Sequence, residues 1–334
     1  MELTTVADDE AVVHDGLTVR TYTDLTPDTD YEFDGFAFRT LPRPGGELLC
    51  RFATVNDVHF GETDCGIIEG LEVGPIFSVE EGEEPFPETM NRGAVQEMGA
   101  VEDLAAVIVK GDLTSKGTVL EYQRFLDVYQ GAFGNRLHFV RGNHESYYGT
   151  SLGDTGPFTV SLPGITVAVI DTTVQLDFIG QVADSTAEWV RQVAADTAGP
   201  ILVMGHHHAW NPGSKERPEK YFGIKPDDSE KLVQIFVDHA NLRGYFAGHT
   251  HRNRVRRFAA TGDRPWVEVA CVKDFPGTWA EYRVYEAGTL QIHRRISTPE
   301  ALVWTEKTRN MYAGTYFGYA FGRLDERCFS IPHS

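Results

Sequence analysis

Cationic side chains are scarce in this sequence. Thirty Lys and Arg stand against 49 Asp and Glu, which leaves a formal charge of −19 over 334 residues. A chain with no basic surplus does not hold duplex nucleic acid through counterion release, and it does not dock on an anionic membrane. A small anionic substrate stays open, because bound cations invert the local charge of a site. Cysteine is scarce too. The four, Cys50, Cys65, Cys271 and Cys328, form no C-x-x-C pair, which argues against a zinc knuckle or a redox dithiol and suits reduced thiols in the cytoplasm. No apolar run approaches the ~18 residues that span a bilayer. The acidic first ten residues lack the basic start and apolar stretch of a secretory signal. The sequence therefore predicts a cytoplasmic protein. Internal repeats and low-complexity tracts are also missing. What remains, 41% apolar and 24% charged residues, is a globular chain long enough to bury a large core without disulfides.

Thr18 to Thr23 and Tyr31 to Thr40 alternate polar and apolar residues, with turn chemistry at Pro27-Asp28 and Asp34-Gly35. Leu25 to Tyr31 resembles the corner of a fibronectin-type strand pair, where a tyrosine folds back on the turn. A whole sandwich needs ~100 residues, so residues 1–46 are expected to form a partial β appendage and linker. From Leu48 onward, apolar runs rich in β-branched residues (Leu48–Val55, Ala106–Lys110, Leu137–Arg141, Thr166–Ile170, Ile201–Met204, Gly244–Ala247) alternate with helical patterns. Ser185 to Glu188 reads as a capping box, and Asp228 or Ser229 as a helix cap. Trp266–Val272, Ala280–Glu286 and Thr289–Ile296 follow without helices and predict an antiparallel meander. The result is an α/β layered architecture with its catalytic unit over 47–298. Residues 61–93, rich in Gly, Pro and Glu, read as a surface insertion or an active-site lid. Residues 299–334, dense in aromatics, read as a tail packed on the body or an oligomer contact. The acid of the N-terminal segment and of Glu80 to Glu88 is expected to solvate the surface.

The strands run into chemistry-bearing residues. These are Asn56-Asp57-Val58-His59, Gly111-Asp112, Gly142-Asn143-His144-Glu145, Gly205-His206-His207-His208 and Gly248-His249-Thr250-His251. Seven of the twelve histidines fall in these five places, at the carboxyl ends of strands where open α/β sheets place their sites. Residues two apart on a strand share a face, so Asp57/His59 and His249/His251 are each expected to point a pair into one site. Asp, Asn and His together suit borderline cations such as Fe, Mn or Zn. About seven ligands are too many for one tetrahedral ion and fit two metals that share a carboxylate.

The ordered string D-x-H, G-D, G-N-H-E, H, G-H-x-H resembles the calcineurin-like metallophosphoesterase superfamily over residues 48–296. Its pattern is closest to bacterial phosphodiesterases of the cyclic-nucleotide or glycerophosphodiester type. The resemblance implies a four-layer α/β/β/α sandwich and two transition-metal ions. It implies Asp57, His59 and His251 at the first metal and Asp112 as the bridge. Asn143, His206 and His249 would sit at the second, with His207 as the alternative to His206. It implies hydrolysis of a small-molecule phosphate ester by a hydroxide held between the cations, attacking in line while His144 stabilises the transition state or protonates the leaving alcohol. His207, Trp210, Asn211 and Arg252 are candidates to line the substrate mouth, and Glu145 to anchor a neighbouring loop.

Gly111-Asp-Leu-Thr-Ser-Lys116 lacks the Asp-Arg-Gly continuation of phosphoprotein phosphatases and the metal-ligand Tyr of purple acid phosphatases. A phosphodiesterase is therefore expected ahead of a purple-acid-phosphatase-like monoesterase. A non-catalytic metal-binding scaffold comes last, since every motif position is filled. A homo-oligomer is compatible with the sequence; a nucleic-acid duplex or a membrane is not an expected partner.

Overall fold

The computed structural model describes residues 1–68 and 72–334. Two six-stranded sheets form the centre. The first has the order Leu137–Val140, Leu104–Lys110, Leu48–Val55, Thr278–Tyr285, Gly288–Arg295, Phe329–Pro332. Its first three strands are parallel and the rest antiparallel. The second has the order Phe158–Leu162, Ile165–Val169, Ile201–Met204, Leu242–Ala247, Pro265–Glu268, Arg254–Arg257.

The sheets pack face to face around Phe52, Ile108, Val167, Leu202, Phe246 and Tyr282, all fully buried. Strand alternation sends the neighbouring side chains outward. Ala53, Val55, Val107 and Val109 meet helices Phe86–Gly99 and Val119–Phe133. Ala168, Ile201, Val203 and Tyr245 meet helices Asp184–Asp196 and Pro226–Asp238. Burial on both faces is why these strands read as near-continuous apolar runs. The architecture is the α/β/β/α sandwich.

Several local expectations change. Thr118, not Ser185, builds the capping box: its hydroxyl accepts from Glu121 N, and Glu121 Oε2 accepts from Thr118 N. Helix Asp184–Asp196 starts at Ala183 without a side-chain cap. Helix Pro226–Asp238 starts earlier than Asp228 because Pro226 supplies the preset φ of a first turn. Asp228 instead accepts from Val182 N and pairs with Lys231. Trp266 lies in the second sheet, parallel to Leu242–Ala247, so the meander comprises Thr278–Tyr285, Gly288–Arg295 and the C-terminal Phe329–Pro332. Of the 61–93 segment, residues 69–71 lie outside the described residues. Residues from Phe86 onward form a helix whose Phe86, Met90 and Asn91 are buried.

At the N-terminus, Glu2–Val6, Ala11–Asp15 and Thr18–Tyr22 form a small sheet, followed by the hairpin Asp30–Phe33/Phe36–Arg39. Its turn, Asp34-Gly35, is left-handed at both residues (φ 51° and 79°), as a two-residue hairpin requires. Tyr31 folds back so that its hydroxyl accepts from Thr26 N at 2.9 Å.

The expectation that this acid solvates the surface holds for Asp15, Asp24, Asp28, Asp30, Glu32, Asp34 and Glu80 to Glu84, which are exposed, but not for the first ten residues or Glu88. Asp8 and Glu2 are buried. Asp8 Oδ1 accepts from Arg283 at 2.8 Å, Glu10 from Arg283 at 2.9 Å, and Glu2 pairs with Arg295 and Arg309. Glu88 is likewise buried and pairs with Arg124 at 3.0 Å. Carboxylates that meet arginines here tie the N-terminal sheet to strands Thr278–Tyr285 and Gly288–Arg295. No helix among the described residues is long and apolar enough to cross a membrane.

Candidate metal centre

The five motifs lie together beyond the carboxyl ends of their strands. Asp57 and His59 follow Leu48–Val55, and Asp112 follows Leu104–Lys110. Asn143 and His144 open the short helix Asn143–Tyr147. His206 follows Ile201–Met204, and His249 and His251 follow Leu242–Ala247. The loops are stitched to one another by backbone hydrogen bonds, including His59 N to Asp112 O at 2.8 Å and Gly248 N to His206 O at 2.9 Å. Gly111 is needed because its φ is +91° and a Cβ there would strike the His206 ring.

Strand periodicity is not what aims these side chains. Asp57, His59, Asp112, His249 and His251 all have left-handed backbones, with φ between 47° and 67°. That conformation is uncommon outside glycine and gathers at functional sites. Each turn re-aims its side chain. As a result His249 and His251, two apart, go to different places. His251 clusters with Asp57 and His59, whereas His249 clusters with His206 and His207. Asp112 lies between the two groups: its Oδ2 is 3.5 Å from His59 Nε2 and 3.2 Å from His206 Nε2. Asn143 Oδ1 is 3.0 Å from His206 Nε2.

The protonation pattern shows what is missing from this donor set. His206 Nδ1 donates to Lys110 O at 2.8 Å, so its Nε2 faces only acceptors, Asn143 and Asp112. Burial would lower its pKa, but Asp112 and Asp57 overcome this and raise it to about 9. Burial likewise opposes the charged form of His251, and Asp57 at 3.5 Å raises its pKa nonetheless. The buried carboxylates here favour positive charge at both positions. Elsewhere lone pairs have no partner. His59 Nε2 and His249 Nε2 are buried without hydrogen bonds, and burial lowers both rings, His59 to about 4 and His249 well below its ordinary value. Neutral imidazoles with unpartnered nitrogens, set around two buried carboxylates, fit two cations.

His207 does not fit the same role. It is buried and its pKa is pushed well down, so it is neutral. Its Nε2 donates to Phe178 O at 3.2 Å and its Nδ1 accepts from Thr172 Oγ1 at 2.9 Å. No lone pair remains. His208 is taken by Tyr221, whose hydroxyl lies 2.6 Å from its Nε2.

His144 stands beside the centre. Its backbone N donates to Asp112 Oδ1 at 3.0 Å and its Nδ1 donates to Ser115 O at 2.6 Å, which leaves Nε2 free. Glu145 anchors the Asp112 loop by accepting from Thr114 N and Gly142 N, both at 2.8 Å.

Beside the centre lies a cavity of about 700 Å³. Asp112, Asn143, His144, His249 and His251 form its polar side; Ile68, Phe222, Tyr312, Tyr316 and Tyr319 supply apolar wall. Phe222 lies over His249 with ring centroids 3.9 Å apart. The expected mouth residues are mostly elsewhere. Arg252 is bound to Glu268 at 2.8 Å and lies over Tyr319. Trp210 packs edge-on against Tyr221, and Asn211 is exposed, its Oδ1 accepting from Gly213 N. None of the three, nor His207, lines this cavity. The sequence reading missed the tyrosines because dense aromatics suggest packing. Tyr316 is buried, Tyr312 half-buried and Tyr319 exposed, a gradation that only the fold reveals.

The profile of the calcineurin-like phosphoesterase family matches residues 50–253. The chain belongs to this family. The match contains every motif residue from Asp57 to His251. The tyrosines of residues 312–319 lie outside it. Two curated relatives are similar over part of their length. A probable cyclic nucleotide phosphodiesterase of Synechococcus sp. is 22% identical over 44% of this chain and 57% of its own. A probable cyclic nucleotide phosphodiesterase of Psychrobacter arcticus is 23% identical over 45% of this chain and 58% of its own. The chain thus matches little more than half the length of either. Among solved structures, a dimetal phosphatase from Danio rerio shares the fold, with a TM-score of 0.54 and 15% identity over 75% of this chain and 98% of that one.

Proposed function

We propose that this metallophosphoesterase hydrolyses small-molecule phosphodiesters, of cyclic-nucleotide or glycerophosphodiester type. The observation that carries the reading is the aromatic wall of the 700 Å³ cavity, formed by Phe222, Tyr312, Tyr316 and Tyr319. A diester carries one charge and two organic substituents, which suit an aromatic wall. The names of the two curated relatives point the same way.

In this reading Asp57, His59 and His251 hold the first cation, Asn143, His206 and His249 the second, and Asp112 bridges them. The donor set suits Fe, Mn or Zn. Bound there, two cations supply Lewis acidity toward a phosphoryl oxygen and lower the pKa of a coordinated water. The residues of the chain do the rest. Lys110 O holds the His206 ring so that Nε2 points inward. Asp112 stays ionised despite burial. Ser115 O fixes His144 so that its Nε2 can stabilise a phosphoryl oxygen or hand a proton to the departing alkoxide. Four free, buried cysteines support a reducing, cytoplasmic setting.

The test is a panel of Mn, Fe and Zn on metal-stripped protein, assayed with bis(p-nitrophenyl) phosphate and p-nitrophenyl phosphate. The diester is expected to lead in kcat/KM by about tenfold or more. Equal or reversed values would overturn the diesterase reading.

A further inference from the structure

A second cavity, of about 440 Å³, also borders His144. It is walled by Tyr147, Tyr148, Leu176, Phe178, Asp177 and Lys220. It shares two residues with the 700 Å³ cavity, and they are Asn143 and His144. The candidate centre therefore sits where two cavities meet, and each is within the range that holds an organic ligand.

The apolar wall of the second cavity is exposed, with Leu176 at 69%, Tyr148 at 49%, Tyr147 at 48% and Phe178 at 36% of full accessibility. Leu176 also has a left-handed backbone, with φ 60°. A bulky residue gains nothing for folding from a strained backbone that presents its side chain to water. The loop is nonetheless held in place at both ends. Leu176 N donates to Ser146 O at 2.9 Å, next to the helix that carries Asn143 and His144. Phe178 O accepts from His207 Nε2 at 3.2 Å, next to His206. The rings of Phe178 and Phe222, 6.4 Å apart, continue the apolar surface from one cavity toward the other.

The geometry points to an acyclic phosphodiester with two bulky organic arms, one seated against Tyr312, Tyr316 and Tyr319 and the other against Leu176, Phe178 and Tyr148. A cyclic diester has one arm and fills one cavity. A two-armed ester fills both, with its phosphorus at their junction beside His144. The inference rests on the phosphodiesterase reading and narrows it.

The test compares bis(p-nitrophenyl) phosphate, which has two arms, with 3′,5′-cyclic AMP, which has one. Both are assayed with the metal-loaded wild type, with the Leu176→Ala/Phe178→Ala double variant and, separately, with Tyr148→Ala. The substituted positions are exposed, and thermal melting checks the fold of each variant. In the wild type the acyclic ester is expected to be preferred. In each variant the acyclic-to-cyclic ratio of kcat/KM is expected to fall by about tenfold, through a higher KM for the acyclic ester. A ratio within about twofold of wild type in both variants, with both diesters still hydrolysed, overturns the second subsite and leaves the phosphodiesterase reading standing. Hydrolysis of p-nitrophenyl phosphate with neither diester turned over overturns that reading and the subsite with it.

Discussion

The Tyr316 hydroxyl donates to Asp274 Oδ1 at 2.7 Å, and this bond joins the C-terminal aromatic segment to the candidate metal centre. Asp274 Oδ2 lies 3.4 Å from the buried Lys273 ammonium, which reaches Glu62 Oε1 at 2.5 Å. Glu62 Oε2 in turn lies 3.2 Å from His59 Nδ1. A wall residue of the large cavity is thus connected to a candidate ligand through a chain of buried charges.

Tyr316→Phe removes one donor from a buried carboxylate and keeps the ring. A hydrogen bond to a charged group is worth about 1.5–3 kcal/mol, so the variant is expected to lose about that much stability in urea. Full stability would show that Asp274 does not depend on this hydroxyl.

His144→Ala is expected to keep both metals and lose about 10²–10⁴ in kcat on bis(p-nitrophenyl) phosphate. Asp112→Ala, which removes a carboxylate lying between two histidine groups, is expected to lose metal as well as activity. Metal analysis of both proteins beside the kinetics separates the two effects. Full activity in His144→Ala would sink its assigned role.

The adjacent histidines separate in the same way. His206→Ala is expected to lose cation from the second position, because Nε2 is the atom that faces Asp112 and Asn143. His207→Ala is expected to retain metal, since both ring nitrogens are engaged with Thr172 and Phe178. Equal metal loss in the two variants contradicts the assignment.

Acid sensitivity follows from Glu281. Burial alone would raise its carboxyl, but Arg294 and Arg283 hold it at about 2. A pKa lowered by folding stabilises the protein above the ordinary value of 4.5, and that contribution is lost as pH falls from there toward 2. Glu281→Gln leaves two buried guanidinium groups undercompensated and is expected to cost about 3 kcal/mol at neutral pH. Its deficit relative to wild type should shrink below pH 4.5, as denaturant unfolding at pH 7 and pH 3 would register. A deficit that is the same at both would refute the linkage.

The sequence by itself determined the sheet strands and the candidate ligand positions. Each motif is local, a short apolar run followed within a few residues by Asp, Asn or His, and both strand burial and metal-donor chemistry can be read at that range. The tertiary structure decided what depends on distant partners. It gave the adjacent His206 and His207 different surroundings, because Lys110 O orients one ring and Phe178 O and Thr172 occupy the other. It sent His249 and His251 to different groups through left-handed turns that no side-chain period encodes. It took Glu2, Asp8 and Glu10 from surface charge into ion pairs with Arg283, Arg294 and Arg295, since a sum of −19 does not say which carboxylates meet an arginine. It also brought Tyr312, Tyr316 and Tyr319, from beyond the family's matched region, to the cavity beside the centre. Chemistry carried by neighbouring residues is legible along the chain. The shape of the space around it is set by residues that meet only when the chain folds.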